Sequence, residues 1–311
     1  MSQEEKIATR ESFGIALSAL KNKNIVVLDA DVNDSTKTKY FKEKYPDRFI
    51  ENGIAESDML GTAAGLATCG KIPFAATFAA FATGRCYDQI RTSIAYPNLN
   101  VKICGSHSGI TVGEDGATHQ MLEDINLMRG LPNMVVLSPS DDISTKKLVG
   151  EMEKYNGPVY MRTSREKTPI IYTEDAKFKI GKANQIGDGK DGTIFATGDV
   201  VCEAIAAQTI LRKNNIDVRV VDVYSIKPID KELIVKCAKE TGLLFSVEDH
   251  NVIGGLGTAI SEVLCEEYPK KLIKMGIQDE FGRSGKASDL MKYFKLDSES
   301  IAKTIKECLH G

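Results

Sequence analysis

Two kinds of hydrophobic pattern alternate along this chain: short apolar runs rich in β-branched residues, and longer stretches with apolar side chains at helical spacing. The short runs predict buried strands and the longer stretches predict amphipathic helices. Strands are predicted at 24–31, 48–56, 101–104, 134–139, 158–165, 193–197, 217–223, 243–248 and 272–275. Helices are predicted at 4–20, 57–67, 86–96, 121–128, 143–155, 201–213, 230–240 and 257–268, and two short helices finish the chain.

This alternation of strand and helix is typical of doubly wound α/β domains with mainly parallel sheets. Between 166 and 190 the periodicity gives way to polar residues, glycines and a Thr-Pro pair, which indicates a linker. A chain of 311 residues is long enough for two cores of ordinary size. We therefore expect an α/β fold with two domains, at 1–165 and 191–311, joined by a linker at 166–190.

The candidate chemistry concentrates in the loop 105–120, which follows a predicted strand and precedes a predicted helix. It contains two of the four histidines, His107 and His119, with Glu114 and Asp115 between them. Loops at the carboxyl ends of parallel strands are where α/β proteins hold ligands, and glycines let such a loop approach a ligand closely. Its histidines and carboxylates suit proton transfer and the binding of a hydroxylated or anionic substrate. A surface turn with solvated charges is the alternative for either histidine alone.

Five further residues have both a structural and a functional interpretation. Arg10, on the first predicted helix, is an ordinary solvated charge if it is taken alone. Ser35 either caps a helix or binds an anion, and Glu56 lies at a strand end and helix start, where the helix dipole favours its charge. Phe78 and Phe81 are core residues by default, and the alternative is an aromatic platform for a heterocyclic ring.

The composition narrows the classes of function. A net charge of -3 gives no basic face for nucleic acid and no polybasic membrane anchor, and no stretch is long and apolar enough to span a bilayer. The seven cysteines are scattered without a CxxC pair, which predicts reduced thiols in a cytoplasmic protein. The charged N-terminal segment lacks the apolar core of a secretory signal. We expect neither a nucleic-acid nor a membrane partner.

The motif Gly113-Glu-Asp-Gly-Ala-Thr-His-Gln120, with His107 upstream, resembles the C-terminal half of the transketolases, a family of thiamine-diphosphate enzymes. Further matches follow in the family's order, namely Ala-Thr-Arg10, 31–35, Gly53-Ile-Ala-Glu56 and Ser164-Arg165. The resemblance covers nearly the whole chain. It implies a pyrimidine-binding domain followed by the family's C-terminal domain.

The resemblance also implies roles in cofactor binding and catalysis. Glu56 would bond the N1′ atom of the cofactor's aminopyrimidine ring, where a carboxyl group favours the tautomer that removes a proton from the thiazolium. Phe78 and Phe81 would pack on the pyrimidine, and Asp31 belongs to the same cofactor set. His119 would transfer a proton or orient the substrate near the reacting carbons.

A second set of matches implies a site for a sugar phosphate. Asp115 would recognise a sugar hydroxyl. The shell around the terminal phosphate would consist of residues whose donors suit an oxyanion: Arg10, Ser35, His107 and Arg165. Arg162 is the alternative to Arg165 for that place.

Three departures from the family pattern leave the substrate open. Gly84 stands where a third aromatic residue of the pyrimidine pocket is expected, Ala117 stands where proline is common, and Asn33-Asp34 differ in the phosphate turn. The sequence therefore names no sugar pair, and a modified sugar such as a sulfonate or branched-chain analogue stays open.

Full-length transketolases bind diphosphate and magnesium in an N-terminal domain, through a Gly-Asp-Gly motif and a later asparagine. Here Gly187-Asp-Gly189 and Asn214-Asn215 have the expected spacing, but both precede a predicted strand instead of following one. We interpret this match as fortuitous, because a motif counts only in its structural setting. We therefore expect a separate N-terminal subunit to supply the ligands of Mg²⁺ and diphosphate, in an α2β2 assembly.

The first functional hypothesis is the C-terminal subunit of a split transketolase, active with its partner, which moves a two-carbon ketol unit from a ketose phosphate to an aldose phosphate. The alternatives are the β subunit of a 2-oxoacid dehydrogenase, a deoxyxylulose-phosphate synthase-like subunit and a non-catalytic assembly subunit. The phosphate-binding set disfavours the 2-oxoacid dehydrogenase subunit. The histidine at 107, where an acidic residue is expected, disfavours the deoxyxylulose-phosphate synthase-like subunit. The intact set of predicted catalytic and cofactor-binding residues disfavours the non-catalytic assembly subunit. The cluster Glu248-Asp-His250 receives no role.

Overall fold

A computed structural model describes residues 6–310. The charged N-terminal segment and the first two residues of the helix predicted at 4–20 lie outside the described residues. The strands are β1 (Lys6–Ala8), β2 (Ile25–Asp29), β3 (Phe49–Glu51), β4 (Ile72–Phe78), β5 (Lys102–Ser106), β6 (Val135–Leu137), β7 (Val159–Arg162), β8 (Lys167–Pro169), β9 (Asn184–Ile186), β10 (Gly192–Ala196), β11 (Val218–Asp222), β12 (Ser225–Lys227), β13 (Leu243–Asn251) and β14 (Leu272–Ile277).

The α-helices connect these strands and cover both faces of the sheets. They are α1 (Thr9–Ala19), α2 (Asn33–Thr36), α3 (Lys39–Lys44), α4 (Glu56–Thr68), α5 (Asp124–Arg129), α6 (Asp142–Lys154), α7 (Val200–Arg212), α8 (Lys231–Glu240), α9 (Leu256–Glu267), α10 (Ala287–Tyr293) and α11 (Ser298–His310). Short 3-10 turns occupy Pro46–Arg48 and Ile110–Asp115, and two π-helical segments occupy Ala80–Arg85 and Gln89–Ala95.

Two sheets carry the architecture. The first has seven strands in the order β12-β6-β7-β5-β4-β2-β3, and the second has five in the order β14-β13-β10-β11-β9. Within them only β12 and β9, each at an edge, pair antiparallel. This confirms the predicted α/β class with mainly parallel, doubly wound sheets.

Each sheet is buried on both faces, and this explains why its central strands read as continuous apolar runs. All five residues of β2 and of β10 are buried. One face of the first sheet packs on α1, α3 and α6, and the other packs on α4 and α5. Helices α7 and α11 cover one face of the second sheet, and α8 and α9 cover the other.

Several details differ from the sequence-based expectation: strand β4 was not predicted, and the strand predicted at 48–56 ends at Glu51, five residues before Glu56. The segment 166–190 contains two short strands, β8 paired with β1 and β9 paired with β11, because backbone pairing at a sheet edge needs no apolar periodicity. The predicted helix at 4–20 is shorter, because residues 6–8 form β1. Strand β12, which no pattern indicated, crosses from the second half of the chain to the edge of the first sheet. The domain boundaries themselves stay a prediction.

Candidate functional site

The candidate site lies where four neighbouring parallel strands end. In the first sheet, β7, β5, β4 and β2 are adjacent, so their carboxyl ends meet at one edge. Phe78 ends β4 and lies opposite Ser106, the last residue of β5, so that His107 follows directly beside it. Arg165 follows β7, and the N–H of Arg10, in the first turn of α1, reaches the carbonyl of Ser164 at 3.4 Å.

These residues surround a pocket of about 320 Å³ at the carboxyl ends of these strands. Five of the residues expected around a sugar phosphate contribute to its wall, together with one of the expected cofactor residues. The lining consists of Arg10, Asp34, Ser35, Phe78, His107, Asp115 and Arg165. The structure thus brings together residues that the sequence separates by more than 150 positions.

His107 is the centre of this pocket. Its backbone has a positive φ of 56°, which turns the side chain back over the end of β4, and its ring stacks on Phe78 with centroids 4.0 Å apart. Nδ1 lies 2.9 Å from the hydroxyl of Ser106, and Nε2 lies 2.9 Å from a guanidinium nitrogen of Arg10. Burial, with the charges of Arg10 and Arg165 nearby, lowers the pKa of His107 to about 3. The ring is therefore neutral at physiological pH: Nε2 accepts from Arg10, and Nδ1–H donates to Ser106.

Two guanidinium groups are the cations of the pocket, whose lining also contains the carboxylates of Asp34 and Asp115. Arg10 also donates to the carbonyl of Ser35 at 3.2 Å, and burial and the charge of Arg165 lower its pKa. Arg165 donates to the carbonyl of Val112 at 2.9 Å and to the carboxylate of Asp115 at 3.1 Å. Guanidinium groups held in fixed orientations are suited to binding a planar or tetrahedral oxyanion.

Arg162 lies elsewhere. It is 3% exposed, its Nε donates to the carboxylate of Asp124 at 2.9 Å, and its Nη2 donates to the carbonyl of Asp249 at 2.6 Å. Of the two arginines that the sequence left as alternatives, Arg165 is the one at the pocket. Arg162 is part of the core between the two sheets.

Glu56 and the aromatic residues form a second cluster beside the pocket. Glu56 is the first residue of α4 and is 4% exposed, and its carboxylate is bonded by the guanidinium of Arg85 at 2.6 Å. The same guanidinium lies over the ring of Phe81, 4.5 Å from its centroid. Phe81 stacks on Phe78 at 5.6 Å, and His119 meets Phe81 edge-on at 5.4 Å. Both Phe81 and Arg85 belong to a π-helical segment, an irregularity that is common at functional sites.

Two further positions concern the predicted cofactor set. Asp31 is exposed and its N–H donates to Glu51 at 2.7 Å, and its role in cofactor binding stays a prediction. At Gly84 an added Cβ would have no atom within 4 Å, so the place of the expected third aromatic ring faces open space.

Sequence reasoning missed three contributors. Arg85 binds the buried Glu56. In the sequence, only its position seven residues after the end of β4 connects it with the site. Ser106 orients His107. Asp29 is buried and accepts from the hydroxyls of Thr36 and Thr38 at 2.7 and 2.8 Å, which fixes the turn that carries Ser35. Burial raises the pKa of Asp29 to about 6.

Within residues 6–310, no group of three or more His, Cys, Asp or Glu side chains is arranged to hold a metal ion. None of the helices in that range combines the length and the apolar character needed to cross a membrane.

Two family models match this chain: the transketolase pyrimidine-binding domain over residues 5–170 and the transketolase C-terminal domain over residues 181–301. The chain belongs to the transketolase family. This confirms the resemblance carried by the 113–120 motif, and membership implies thiamine diphosphate as the cofactor.

Relatives show which part of a transketolase the chain represents. A protein of Methanocaldococcus jannaschii named as a transketolase C-terminal section is 52% identical over 303 residues, which are 96% of this chain and 95% of that protein. Transketolase of Rattus norvegicus is 41% identical over 97% of this chain but only 49% of its own length. A solved structure of a split-gene transketolase, titled an inactive β4 tetramer, has a TM-score of 0.90 at 44% identity and covers 98% of this chain and 99% of that one. These likenesses confirm the prediction of a C-terminal transketolase subunit.

The two arginines 162 and 165 are expected to respond differently to substitution by methionine. Arg162→Met should lower the free energy of unfolding by about 3–5 kcal/mol, because it leaves the buried carboxylate of Asp124 unpaired. Arg165→Met should cost less than about 1 kcal/mol, because its partner Asp115 is solvated. Urea denaturation of both variants measures the difference, and similar losses would contradict the buried-pair assignment of Arg162.

The neutrality of His107 predicts a specific dependence of stability on pH. Its pKa is about 3 in the folded chain against 6.5 unfolded, so below pH 6.5 only the unfolded chain takes up this proton and stability falls as the pH falls. In His107→Gln this contribution is absent. Between these two pKa values the wild type should lose stability more steeply than the variant, by up to about 1.4 kcal/mol per pH unit. Urea titrations across that range test this; parallel curves would show that His107 titrates normally.

Proposed function

We propose that this chain is the C-terminal subunit of a split transketolase, which moves a two-carbon ketol unit from a ketose phosphate to an aldose phosphate. Thiamine diphosphate would bind between this chain and an N-terminal subunit. The enzyme would then be active only as the complex. The division into domains at 1–165 and 191–311 is part of the proposal.

One observation supports the proposal most directly: the ring of Phe78 belongs to both parts of the site. On the pocket side it stacks on His107 at 4.0 Å, and on the other side it stacks on Phe81 at 5.6 Å. A planar cofactor ring held at Phe81 would therefore lie beside an oxyanion held at Arg10 and Arg165. This is the arrangement that ketol transfer between sugar phosphates needs, because the phosphate fixes the distance of the reacting carbons from the cofactor.

The residues fit the aminopyrimidine of thiamine diphosphate. In the structure the buried carboxylate of Glu56 and the ring of Phe81 together hold the guanidinium of Arg85, a planar group that carries N–H donors. An aminopyrimidine has the same two properties, a flat face for an aromatic ring and nitrogen atoms for a carboxyl group. When it is bound, thiamine diphosphate supplies a centre that stabilises negative charge on a former carbonyl carbon.

The chain's own residues would act around that centre. Glu56 would hold a proton at N1′ of the pyrimidine. His119, half-buried and edge-on to Phe81, would exchange a proton with a substrate oxygen. Asp115 would accept a hydrogen bond from a sugar hydroxyl. At the phosphate, Arg10 and Arg165 supply the charge, and the neutral imidazole of His107 orients Arg10 through Nε2.

The metal and diphosphate ligands are proposed to come from the partner subunit. Gly187-Asp-Gly189 forms the turn between β9 and β10, where the exposed Asp188 accepts from Gln185 at 2.8 Å and Gly189 packs directly on the backbone of Val218. We attribute this turn to packing against β11, which supports the proposal that the metal ligands lie elsewhere. The α2β2 assembly, magnesium and a place in pentose phosphate metabolism complete the proposal.

The central experiment measures binding of thiamine diphosphate with Mg²⁺ by calorimetry, on this chain alone and mixed with the N-terminal subunit. Binding and ketol transfer are expected only in the mixture. Glu56→Gln should lower the transfer rate by at least about 10²-fold, because it removes the carboxyl group at N1′. Asp188→Asn is the control and should change neither binding nor rate. Tight magnesium-dependent binding by the isolated chain, lost in Asp188→Asn, would refute the split-site proposal.

Arg85 provides a second test, because its guanidinium occupies the space between Glu56 and Phe81 that the pyrimidine would take. In the mixture, Arg85→Ala should bind thiamine diphosphate more tightly, by about tenfold, since no guanidinium has to be displaced. Arg85→Lys keeps the charge but loses the planar stacking group, and its affinity for thiamine diphosphate should lie between those of the wild type and Arg85→Ala. Weaker cofactor binding by Arg85→Ala would mean instead that Arg85 supports the bound cofactor.

A further inference from the structure

The loop 105–120, which carries His107, Asp115 and His119, belongs to the first half of the chain, yet much of its support comes from the second. We propose that Asp249, on strand β13 of the second sheet, is a positioning residue for the substrate pocket. It would act by holding the backbone at Ile110. The inference rests on the proposed function, because it assigns the second half of the chain a task in that same site.

The contact between Asp249 and the loop is direct and buried. Both carboxylate oxygens of Asp249 accept the N–H of Ile110, at 2.9 and 3.1 Å, and the side chain is fully buried. The preceding residue, Gly109, has a φ of +76° and lies so close that an added Cβ would overlap the carboxylate. Glycine is therefore required there twice, by conformation and by space.

Neighbouring residues of the loop are held in the same way. The hydroxyl of Thr111 donates to the carboxylate of Asp199, which precedes α7, at 3.0 Å. The side chains of Ile110 and Leu122 are buried in the apolar core of the second sheet. The amide of Gln120 donates to the carbonyls of Ile110 and Gly113 and, at 2.8 Å, to that of Arg283. The loop is thus fixed to the second half at Ile110, Thr111 and Gln120.

This fixation reaches the pocket through two hydrogen bonds. Arg165 donates to the carbonyl of Val112, two residues after Ile110, and to the carboxylate of Asp115. The side chains of Arg165 and Asp115 line the pocket. A shift of the backbone at Ile110 would therefore move Arg165 and Asp115 together. In the proposed site, Arg165 is a cation at the phosphate and Asp115 accepts a hydrogen bond from a sugar hydroxyl.

The adjacent residue provides a matched control. Glu248 is also fully buried and also binds backbone N–H groups, those of Leu256 and Gly257 at 2.6 and 2.9 Å. These lie at the start of α9, within the second half of the chain. Glu248 and Asp249 thus make similar buried hydrogen bonds from consecutive positions, and only Asp249 contacts the loop.

The experiment compares Asp249→Ala with Glu248→Ala, each assembled with the N-terminal subunit. Both variants should lose stability in urea. Only Asp249→Ala should raise the KM for the aldose phosphate, by tenfold or more, with a smaller change in kcat. Asp249→Asn, which keeps one acceptor oxygen, should restore most of the affinity. If both alanine variants change KM equally, or if Asp249→Asn restores nothing, Asp249 has only a structural role.

A second measurement separates this inference from the proposed function. Inorganic phosphate binding by the isolated chain does not need the cofactor, and Asp249→Ala should weaken it by several-fold where Glu248→Ala does not. If Asp249→Ala fails to fold, Thr111→Val removes the parallel bond to Asp199 and should weaken phosphate binding in the same direction. A wild-type complex without ketol transfer would overturn the proposed function alone, whereas equal phosphate binding by all variants would overturn the role of Asp249.

Discussion

The structure depends on one buried ion pair, between Arg162 at the end of β7 and Asp124 at the start of α5. A charge removed from water must be paired and hydrogen-bonded, so its partners are fixed in position. Asp124 also accepts from the hydroxyl of Tyr160 at 2.8 Å, and Arg162 also binds the backbone carbonyl of Asp249 in the other sheet. One guanidinium group thus joins two strands and a helix from both halves of the chain. The loop that carries the candidate chemistry ends at the helix that this pair holds.

The polar groups near this pair and those of the pocket follow the same electrostatic rule, since burial favours the neutral form of each group, but the settings differ in how the arginines are paired. Around Arg162, burial raises the pKa of Glu248 and of Asp249 to about 7, and backbone N–H groups supply their hydrogen bonds. At the pocket, Arg165 is paired with the half-exposed carboxylate of Asp115, whereas Arg10 is hydrogen-bonded to the imidazole of His107, which burial keeps uncharged. The first arrangement stabilises a junction, whereas the second leaves positive charge available to a ligand. An arginine lies beside a carboxylate in both settings. The two pairs differ in exposure, because Arg162 and Asp124 are buried whereas Arg165 and Asp115 are exposed to solvent.

Much of the fold followed from sequence pattern, because strands buried on both faces and amphipathic helices leave strong signals. The interior strand β2 and the long helices α6, α7 and α9 lie within two or three residues of their predicted positions. Edge strands β8, β9 and β12 gave no signal, since three residues of backbone pairing require no particular side chains. At the site, the family motif indicated His107 and Glu56. It did not separate Arg162 from Arg165, since both are arginines beside β7 and only tertiary packing differs. Arg85 was missed and Asp249 received no role, because their partners are distant in sequence.

Strand β12 comes from the second half of the chain and completes the edge of the first sheet beside β6. A polypeptide divided within 166–190 would leave the backbone groups of Val135–Leu137 without that partner. Open sheet edges recruit strands from other molecules, so the isolated first half would tend to aggregate or exchange strands. The second half would lose Ile110 and Leu122 from its core. Recombination or gene fission at this point would therefore separate segments that share a sheet edge and part of a core.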